Sequence, residues 1–389
     1  MQRIPSKQIQ LLNSFGLQTA CADLRLINDH EELHDYLASL PEDARNNCIV
    51  AGELSNTVLG KSIDQPLILF RDGAFLDIKR TADRITAHVA GSYPFDSFVS
   101  SLCQNNIPGL ELLSGIPGTV GGAISQNIAA YGQQVSSHLL SIRAFDRKKN
   151  RLVILPASSL QFSYRTSLLK QTPRFSPELI ILEATFTFSS NQVVSPVGYK
   201  DILDYHLSVG RSQEDIKGRR ASVLSIRNRK GMVVGCENWL PCAGSFFLSP
   251  IVGNETALKI AKGIRGDNFA ASLSSWYKPD AGHTRLPAAL VMRAAGFLNG
   301  DQWGQVALSP HHILAICIPG SASTGSEILA VSKIIQSEVL ARTGISLENE
   351  VRFLGNFENF DLSDFLKKIT FVKGTDEPVW AKNLGMPSH

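Results

Sequence analysis

The chain has 389 residues, 43% of them apolar and 19% charged, with a formal net charge of +3. At roughly 150 residues per domain, that length holds two or three cores, and the evenly spread apolar content excludes disordered, collagen-like and low-complexity chains. So small a charge over so long a chain carries no footprint of a nucleic-acid or anionic-membrane partner. The first third alternates short strands with helices. Cys48-Ile49-Val50-Ala51 is an apolar run that enters a polar turn at Gly52-Glu53-Leu54-Ser55-Asn56, and Pro66-Leu67-Ile68-Leu69-Phe70 is a second strand. Arg84 to Ala90 alternates as a half-buried strand does. Pro94 then opens a helix with Phe95, Phe98, Val99 and Leu102 on one stripe, stopped by Asn105-Asn106 and Pro108.

Residues 109–132 break this rhythm, with glycine at 109, 115, 118, 121, 122 and 132 beside Pro117. That is too much glycine for a helix and too little charge for a solvated linker. The expectation is a series of turns where the backbone approaches something closely. Further on, Leu182, Ala184, Phe186 and Phe188 alternate with Glu183, Thr185 and Thr187 in a strand. Stretches 256–265, 285–295 and 323–342 carry apolar stripes of helical period, and Thr343-Gly344 ends the last of them. No pattern is readable from about residue 356 onward.

The six cysteines are scattered without a C-x-x-C pair, which favours a reducing compartment over a disulfide framework or zinc ribbon. The opening Met1 to Phe15 has no apolar run of signal-peptide length, and nowhere do about 18 apolar residues run together. A soluble, cytoplasmic protein is the expectation.

The common signatures fail one by one. Gly60-Lys61-Ser62 resembles the end of a phosphate loop, but Ser55 stands where its first glycine must be. No G-x-G-x-x-G follows a strand, and no G-x-S-x-G elbow exists. His283, His311 and His312 lack metal-ligand spacing with any cysteine or carboxylate, so no metal is expected. The basic cluster Lys217-Arg219-Arg220 reads as a solvated face. A second cluster, Arg227-Arg229-Lys230, lies shortly before a Gly-Ser-Phe-Phe turn.

Five local constellations remain: Gly52 to Asn56, the glycine-rich 115–132 segment, Phe162 to Ser167, Ala243 to Phe247, and Leu347 to Phe353. The first two are small-residue loops suited to donating backbone N–H groups to a pyrophosphate. The others offer an arginine, a serine and a Glu-Arg pair beside apolar residues that exclude water. In this order the set resembles the UDP-N-acetylenolpyruvoylglucosamine reductases (UDP-N-acetylmuramate dehydrogenases), from about Asn13 to Gly355. The most specific stretch is Gly115-Ile116-Pro117-Gly118-Thr119-Val120-Gly121-Gly122 with Gln126-Asn127 and Ala130-Tyr131-Gly132. Tyr164-Arg165-x-Ser167, Gly244-Ser245-Phe246-Phe247 and Glu350-Val351-Arg352 follow in weight. Val197-Gly198-Tyr199 resembles the tyrosine loop of the family's longer subclass.

The resemblance implies an α+β fold: a two-subdomain FAD-binding module of the PCMH or vanillyl-alcohol-oxidase type plus a C-terminal α/β substrate-binding domain. The implied divisions are 1–80 and 81–235 for the two FAD-binding subdomains, the second completed by about 343–355. Residues 236–342 form the substrate domain, and 356–389 are an extension without an assigned role. Non-covalent FAD would lie along Gly52, Glu53, Leu54, Ser55 and Asn56, along Ile116, Pro117, Gly118, Thr119, Gly121 and Gly122, and near Asn127, Ala130, Tyr131, Arg227 and Arg352. NADPH is the implied co-substrate. No His or Cys sits in the matching loops for covalent attachment.

The implied chemistry is hydride transfer to an enolpyruvyl ether, which builds enolate charge at the carboxylate end. Arg165 matches the residue that grips that charge, with Glu350 helping to hold the enol form or to orient its neighbours. Ser245 matches the proton donor, its hydroxyl polarised by a neighbour such as Lys230. Tyr199, Lys230 and Gln302 match positions that hold the nucleotide diphosphate, and Ser249 stands at a further substrate position.

Three departures from the family wording stand out. Leu54 replaces a glycine, Leu248-Ser249-Pro250 replaces Lys-Asn-Pro, and Ala123, Ile124, Ser125 and Ala129 differ from the commoner residues. Two alternatives therefore stay open: a paralogue reducing another enolpyruvyl ether, and a flavin-binding protein without turnover. The expected partner is a small UDP-sugar enolpyruvyl ether, with no nucleic acid and no membrane. A monomer is favoured, though the oligomeric state is not readable.

Overall fold

The computed structural model describes residues 2–3, 13–70, 75–170, 178–265, 282–320, 323–358 and 362–375. The chain divides into two compact units. The first gathers Met1–Asn13, Thr19–Ser55 and Ser62–Trp239, and the second Ser14–Gln18, Asn56–Lys61 and Leu240–His389.

The first unit begins with a small mixed sheet. Its strands are β1 (Gln2–Arg3), β2 (Leu24–Ile27), β3 (Ile49–Ala51) and, after β4 (Thr57–Leu59) of the second unit, β5 (Leu67–Phe70). The order is β1-β2-β5-β3, with β5 parallel to both its neighbours and β1 antiparallel at the edge. Parallel neighbours need a crossover, and α1 (His30–Ser39) follows β2. Asp29 caps it by accepting from Glu32 N–H at 2.7 Å, and it ends at Leu40 before Pro41, which disfavours helix in the residue ahead of it. Leu33, Tyr36 and Leu37 of α1 pack with Ile27, Ile68 and Phe70 of the sheet.

A five-stranded antiparallel sheet follows, built from β6 (Leu76–Arg80), β7 (Arg84–Ala90), β8 (Leu139–Asp146), β9 (Arg151–Pro156) and β10 (Leu179–Ser189), in the order β9-β8-β10-β7-β6. The alternation read in 182–188 is the inward face of β10: Leu182, Ala184, Phe186 and Phe188 are all buried. Phe95, Phe98, Val99 and Leu102 of α2 (Phe95–Gln104) cover that core with α3 (Val120–Gln126). Asn106 stops α2 in the left-handed region at φ +54°.

α3 corrects one expectation, because a helix does form inside the glycine-rich segment. Its buried Val120, Ala123 and Ile124 anchor it, so tertiary packing outweighs the weak propensity of glycine. Gly121 is there for closeness: its N–H donates to Gly91 O at 2.7 Å, and a Cβ would lie 3.0 Å from the same oxygen. Two helices complete the unit, α4 (Lys200–Ser208) and α5 (Ile216–Arg229). On α5 the first basic cluster is not a solvated face. Lys217 is exposed, but Arg219 is 1% exposed and pairs with buried Glu111 at 3.0 Å, while Arg220 grips Asp96 through both oxygens at 2.6 and 2.7 Å. Buried guanidinium is tolerated when each charge meets a carboxylate.

The second unit holds α6 (Asn254–Arg265), α7 (Ala288–Ala294), β11 (Gln302–Trp303), β12 (Val306–Ser309), β13 (His312–Cys317), α8 (Gly325–Thr343), β14 (Arg352–Leu354), α9 (Leu362–Lys368) and β15 (Phe371–Val372). Its sheet runs β13-β12-β11-β15, all antiparallel. The three helical stripes read from the sequence are α6, α7 and α8. Thr324 and Glu327 close a capping box on α8, and Gly344 ends it at φ +72°. β14 pairs in parallel with β4. The stretch 343–355, expected to complete the second FAD-binding subdomain, thus falls in this second unit. The unreadable tail supplies an edge strand. Val372 pairs with Gln302, and Lys373 Nζ and Gly374 N–H reach the fully buried Asp301 at 3.0 and 2.8 Å. Among the described residues no helix is long and apolar enough to cross a membrane.

Candidate active site

In the first unit the two small-residue loops meet. Glu53 Oε2 accepts from Gly118 N–H at 3.0 Å, and Ser55 Oγ donates to Pro117 O at 3.4 Å. A Cβ on Gly52 would lie 2.6 Å from Thr119 Oγ1, so only glycine fits. Thr119 in turn caps α3 by accepting from Gly122 N–H at 3.2 Å. A cavity of about 140 Å³ opens here, lined by Gly52, Gly91, Thr119, Gly121, Gly122 and Ser125 and by apolar residues of β3, β5 and β10. Ile116 packs against the core below.

The donors are distributed unevenly between the loops. The N–H groups of Gly118, Val120, Gly121 and Gly122 are taken by Glu53, Tyr93 O, Gly91 O and Thr119. Those of Glu53 and Leu54 meet no acceptor among the described residues. Leu54 has φ +54°, the left-handed step that turns successive N–H groups into one concavity. These two amides directly follow Gly52, which lines the cavity, and suit the pyrophosphate of FAD. The leucine side chain does not block the turn; it is buried, 6% exposed.

Arg165 is presented by a tight turn closed by the Ser163–Thr166 bridge. Asn127, the left-handed C-cap of α3, donates from Nδ2 to Ser163 O at 2.9 Å, and Ser167 Oγ donates to Ser125 O at 2.7 Å. Two side chains thus pin the arginine turn to α3. Arg165 itself has φ +55° and lies over the Tyr164 ring at 5.8 Å.

Tyr199 ends the loop before α4 and meets Tyr131 edge to face, ring centres 5.3 Å apart. Tyr131 and Gly132, at φ +54° and +87°, form the tip of the Ala129–Ala130 and Gln133–Gln134 hairpin. Burial raises the Tyr199 phenol above its ordinary value, helped by Tyr131 and Asp201 and opposed by Arg165. Lys230, at the C-terminal end of α5, bonds Asp201 Oδ2 at 3.0 Å. Arg227 is buried beside Gly115, where a Cβ would lie 3.3 Å from its Nε. That Nε has no partner among the described residues. Nearby, burial alone would raise the Asp96 carboxyl, but the Arg220 fork and Gly115 N–H outweigh it and hold it below the usual range.

The second unit carries Ser245 and Glu350 on adjoining segments. Phe246 N–H donates to Leu314 O, Glu350 N–H donates to Phe246 O at 2.8 Å, and Phe247 bridges Asn349. Buried Phe246 and Phe247 anchor this ladder, and Gly244 at φ +75° lets the chain turn into Ser245. Asn56, the last residue of the 52–56 turn, falls in this unit. Its Nδ2 donates to Glu350 O at 3.3 Å, and its carbonyl accepts from Arg352 N–H at 3.1 Å. Burial lowers the Arg352 guanidinium from its ordinary value. Ser249 Oγ accepts from Ala288 N–H at 3.4 Å at the start of α7. Gln302 Nε2 donates to Gly304 O at 2.7 Å within its own turn.

Sequence reasoning missed Asp201 and the buried Asn349 Oδ1, which has no partner among the described residues. Neither carries a local signal: Asp201 meets a lysine 29 positions away, and Asn349 is one more polar residue beside Glu350.

A mixed small sheet and a larger antiparallel sheet, with a glycine-walled cavity in the first unit, make an α+β fold of the FAD-binding oxidoreductase class, as the family comparisons show. Residues 26–154 match the FAD binding domain family, and residues 236–354 match the C-terminal domain of UDP-N-acetylenolpyruvoylglucosamine reductase. The reductase of that name from Thermobifida fusca is 30% identical over 313 residues, 79% of this chain and 85% of that protein. Its counterpart from Mycobacterium ulcerans is 29% identical over 341 residues, 84% of this chain and 88% of that protein. The crystal structure of the Thermus caldophilus reductase superposes with a TM-score of 0.59 at 19% identity, covering 91% of this chain and 98% of that one, which supports the fold. The chain belongs to the UDP-N-acetylenolpyruvoylglucosamine reductase family.

Proposed function

We propose that this protein reduces UDP-N-acetylglucosamine enolpyruvate to UDP-N-acetylmuramate, consuming NADPH, as a cytoplasmic enzyme of peptidoglycan precursor synthesis. The observation that carries the reading is the 30% identity to the Thermobifida fusca reductase across four-fifths of the chain, in a sequence that keeps Arg165, Ser245 and Glu350. FAD, which the Glu53–Leu54 amides and the glycine-walled cavity would hold, would take a hydride from NADPH and pass it to the substrate.

The chain's own residues do the rest. Arg165, fixed by the turn that Asn127 and Ser167 pin to α3, grips the substrate carboxylate. Its charge is permanent and its fork matches two oxygens, so it stabilises the enolate as negative charge builds there. Glu350 holds the enol form. Ser245 Oγ delivers the proton to the carbon next to the carboxylate. Tyr199 and Lys230 hold the diphosphate, the phenol O–H and the ammonium each donating to that anion.

The departure at Leu248-Ser249 supports one second reading, a paralogue acting on another enolpyruvyl ether. Ser249 is directed to the α7 backbone, where the family's longer amide would reach further. The test is direct. Purified protein is expected to be yellow with a flavin spectrum, and to oxidise NADPH rapidly only when UDP-N-acetylglucosamine enolpyruvate is present. Colourless protein without flavin binding overturns both readings. Flavin reduction without substrate turnover at millimolar substrate favours the second.

A further inference from the structure

The Lys230–Asp201 pair is a polar contact, at a residue the reading above places on the diphosphate, whose own role that reading leaves open. Lys230 is 14% exposed and Asp201 36%. Both carboxylate oxygens are engaged: Oδ2 accepts from Lys230 Nζ at 3.0 Å, and Oδ1 accepts from Ile202 N–H at 2.9 Å in the first turn of α4. Asp201 therefore cannot rotate without breaking a bond at either end. It stands two residues after Tyr199, which ends the loop before the same helix. One helix start thus carries both the tyrosine and the carboxylate that fixes the lysine, although Lys230 comes from the far end of α5.

From this geometry we infer that Asp201 is a positioning residue. It holds the Lys230 ammonium at the start of α4, the helix that Tyr199 caps, before a diphosphate arrives, so that a UDP-linked ligand meets donors already ordered. The inference rests on the reading that Lys230 contacts the diphosphate. The physical reason is entropic. A lysine has a long, freely rotating stem, and a side chain already tethered loses less freedom when an anion binds it. The opposing term is repulsion between the carboxylate and the diphosphate, and asparagine separates the two effects. Asp201→Asn keeps an acceptor for the ammonium and removes the charge, whereas Asp201→Ala removes both.

The experiment is a double-mutant cycle read by calorimetric titration of UDP into FAD-loaded protein. Asp201→Ala is expected to weaken UDP about tenfold, and Asp201→Asn to remain within about threefold of wild type. In a Lys230→Ala background, Asp201→Ala is expected to change affinity by less than about twofold, because the residue to be positioned is gone. Equal loss from Asp201→Ala in both backgrounds overturns the inference, since it marks a structural role. Tighter UDP binding by both Asp201 variants also overturns it, since the carboxylate is then only a competitor. If Lys230→Ala itself binds UDP like wild type, the reading of Lys230 fails and the inference falls with it.

Discussion

Replacing Gly52 with alanine tests the cofactor loop most sharply. A Cβ there would lie 2.6 Å from Thr119 Oγ1 and 3.1 Å from its Cγ2. Thr119 cannot swing aside freely, because it is 7% exposed and its Oγ1 caps α3 through Gly122 N–H. If the threonine turns, the cap is lost at about 1 kcal/mol. If instead the turn backs away, overpacking costs about 1–3 kcal/mol. The second response moves the Glu53 and Leu54 amides, and the first loosens the start of α3, whose Thr119, Gly121 and Gly122 wall the cavity. Gly52→Ala is therefore expected to lower the unfolding free energy of the flavin-free protein by about 1–3 kcal/mol in urea denaturation. It is also expected to weaken FAD about tenfold or more by fluorescence-quenching titration, since 1.4 kcal/mol is a factor of ten. Gly122→Ala provides the contrast. Its Cβ would meet Thr119 Oγ1 at an ordinary 3.4 Å, inside a helix where alanine is favoured by up to about 1 kcal/mol, so stability should rise. A Gly52→Ala protein that binds FAD like wild type would refute the cradle.

Three further outcomes are expected. Leu54→Gly relieves a left-handed leucine, worth about 1–2 kcal/mol, but removes a buried side chain whose loss costs about 2–5 kcal/mol; denaturation should show net destabilisation, with FAD affinity unchanged or tighter. Leu248→Lys combined with Ser249→Asn should lower the KM for the UDP-sugar substrate several-fold in steady-state assays, with kcat little changed, because the added groups contact a remote part of the ligand. Asp96, held below the usual carboxylate range by Arg220 and Gly115, stabilises the fold above the ordinary carboxyl pKa of about 3.9, and that stabilisation is lost as pH falls below it. Asp96→Asn should flatten the acid limb of the stability profile measured by thermal denaturation at stepped pH.

Legibility followed locality. The stripe of α2 and the alternation of β10 were readable because each is one element's burial written at its own period. The glycine-rich segment misled because its helix is held by contacts elsewhere. Gly121 packs on Gly91, 30 positions back, and no count of glycines reveals that. The Arg219–Glu111 pair failed to show for the same reason: a buried arginine looks like a solvated one until its partner, 108 positions away, is known. The site motifs were visible as wording, yet the wording does not say that Gly118, Gly121 and Gly122 spend their N–H groups internally while Glu53 and Leu54 do not. The tail carried no period at all, because β15 is two residues long and owes its place to Gln302–Trp303.

The central assignment is that Ser245 acts only in protonating the substrate, and stopped-flow separation of the two half-reactions tests it. In Ser245→Ala, reduction of the bound flavin by NADPH should stay within about threefold of wild type, while reoxidation by UDP-N-acetylglucosamine enolpyruvate should slow by about 10²–10⁴-fold, the range of a lost general acid. Equal slowing of both half-reactions, or reoxidation at the wild-type rate, would contradict it.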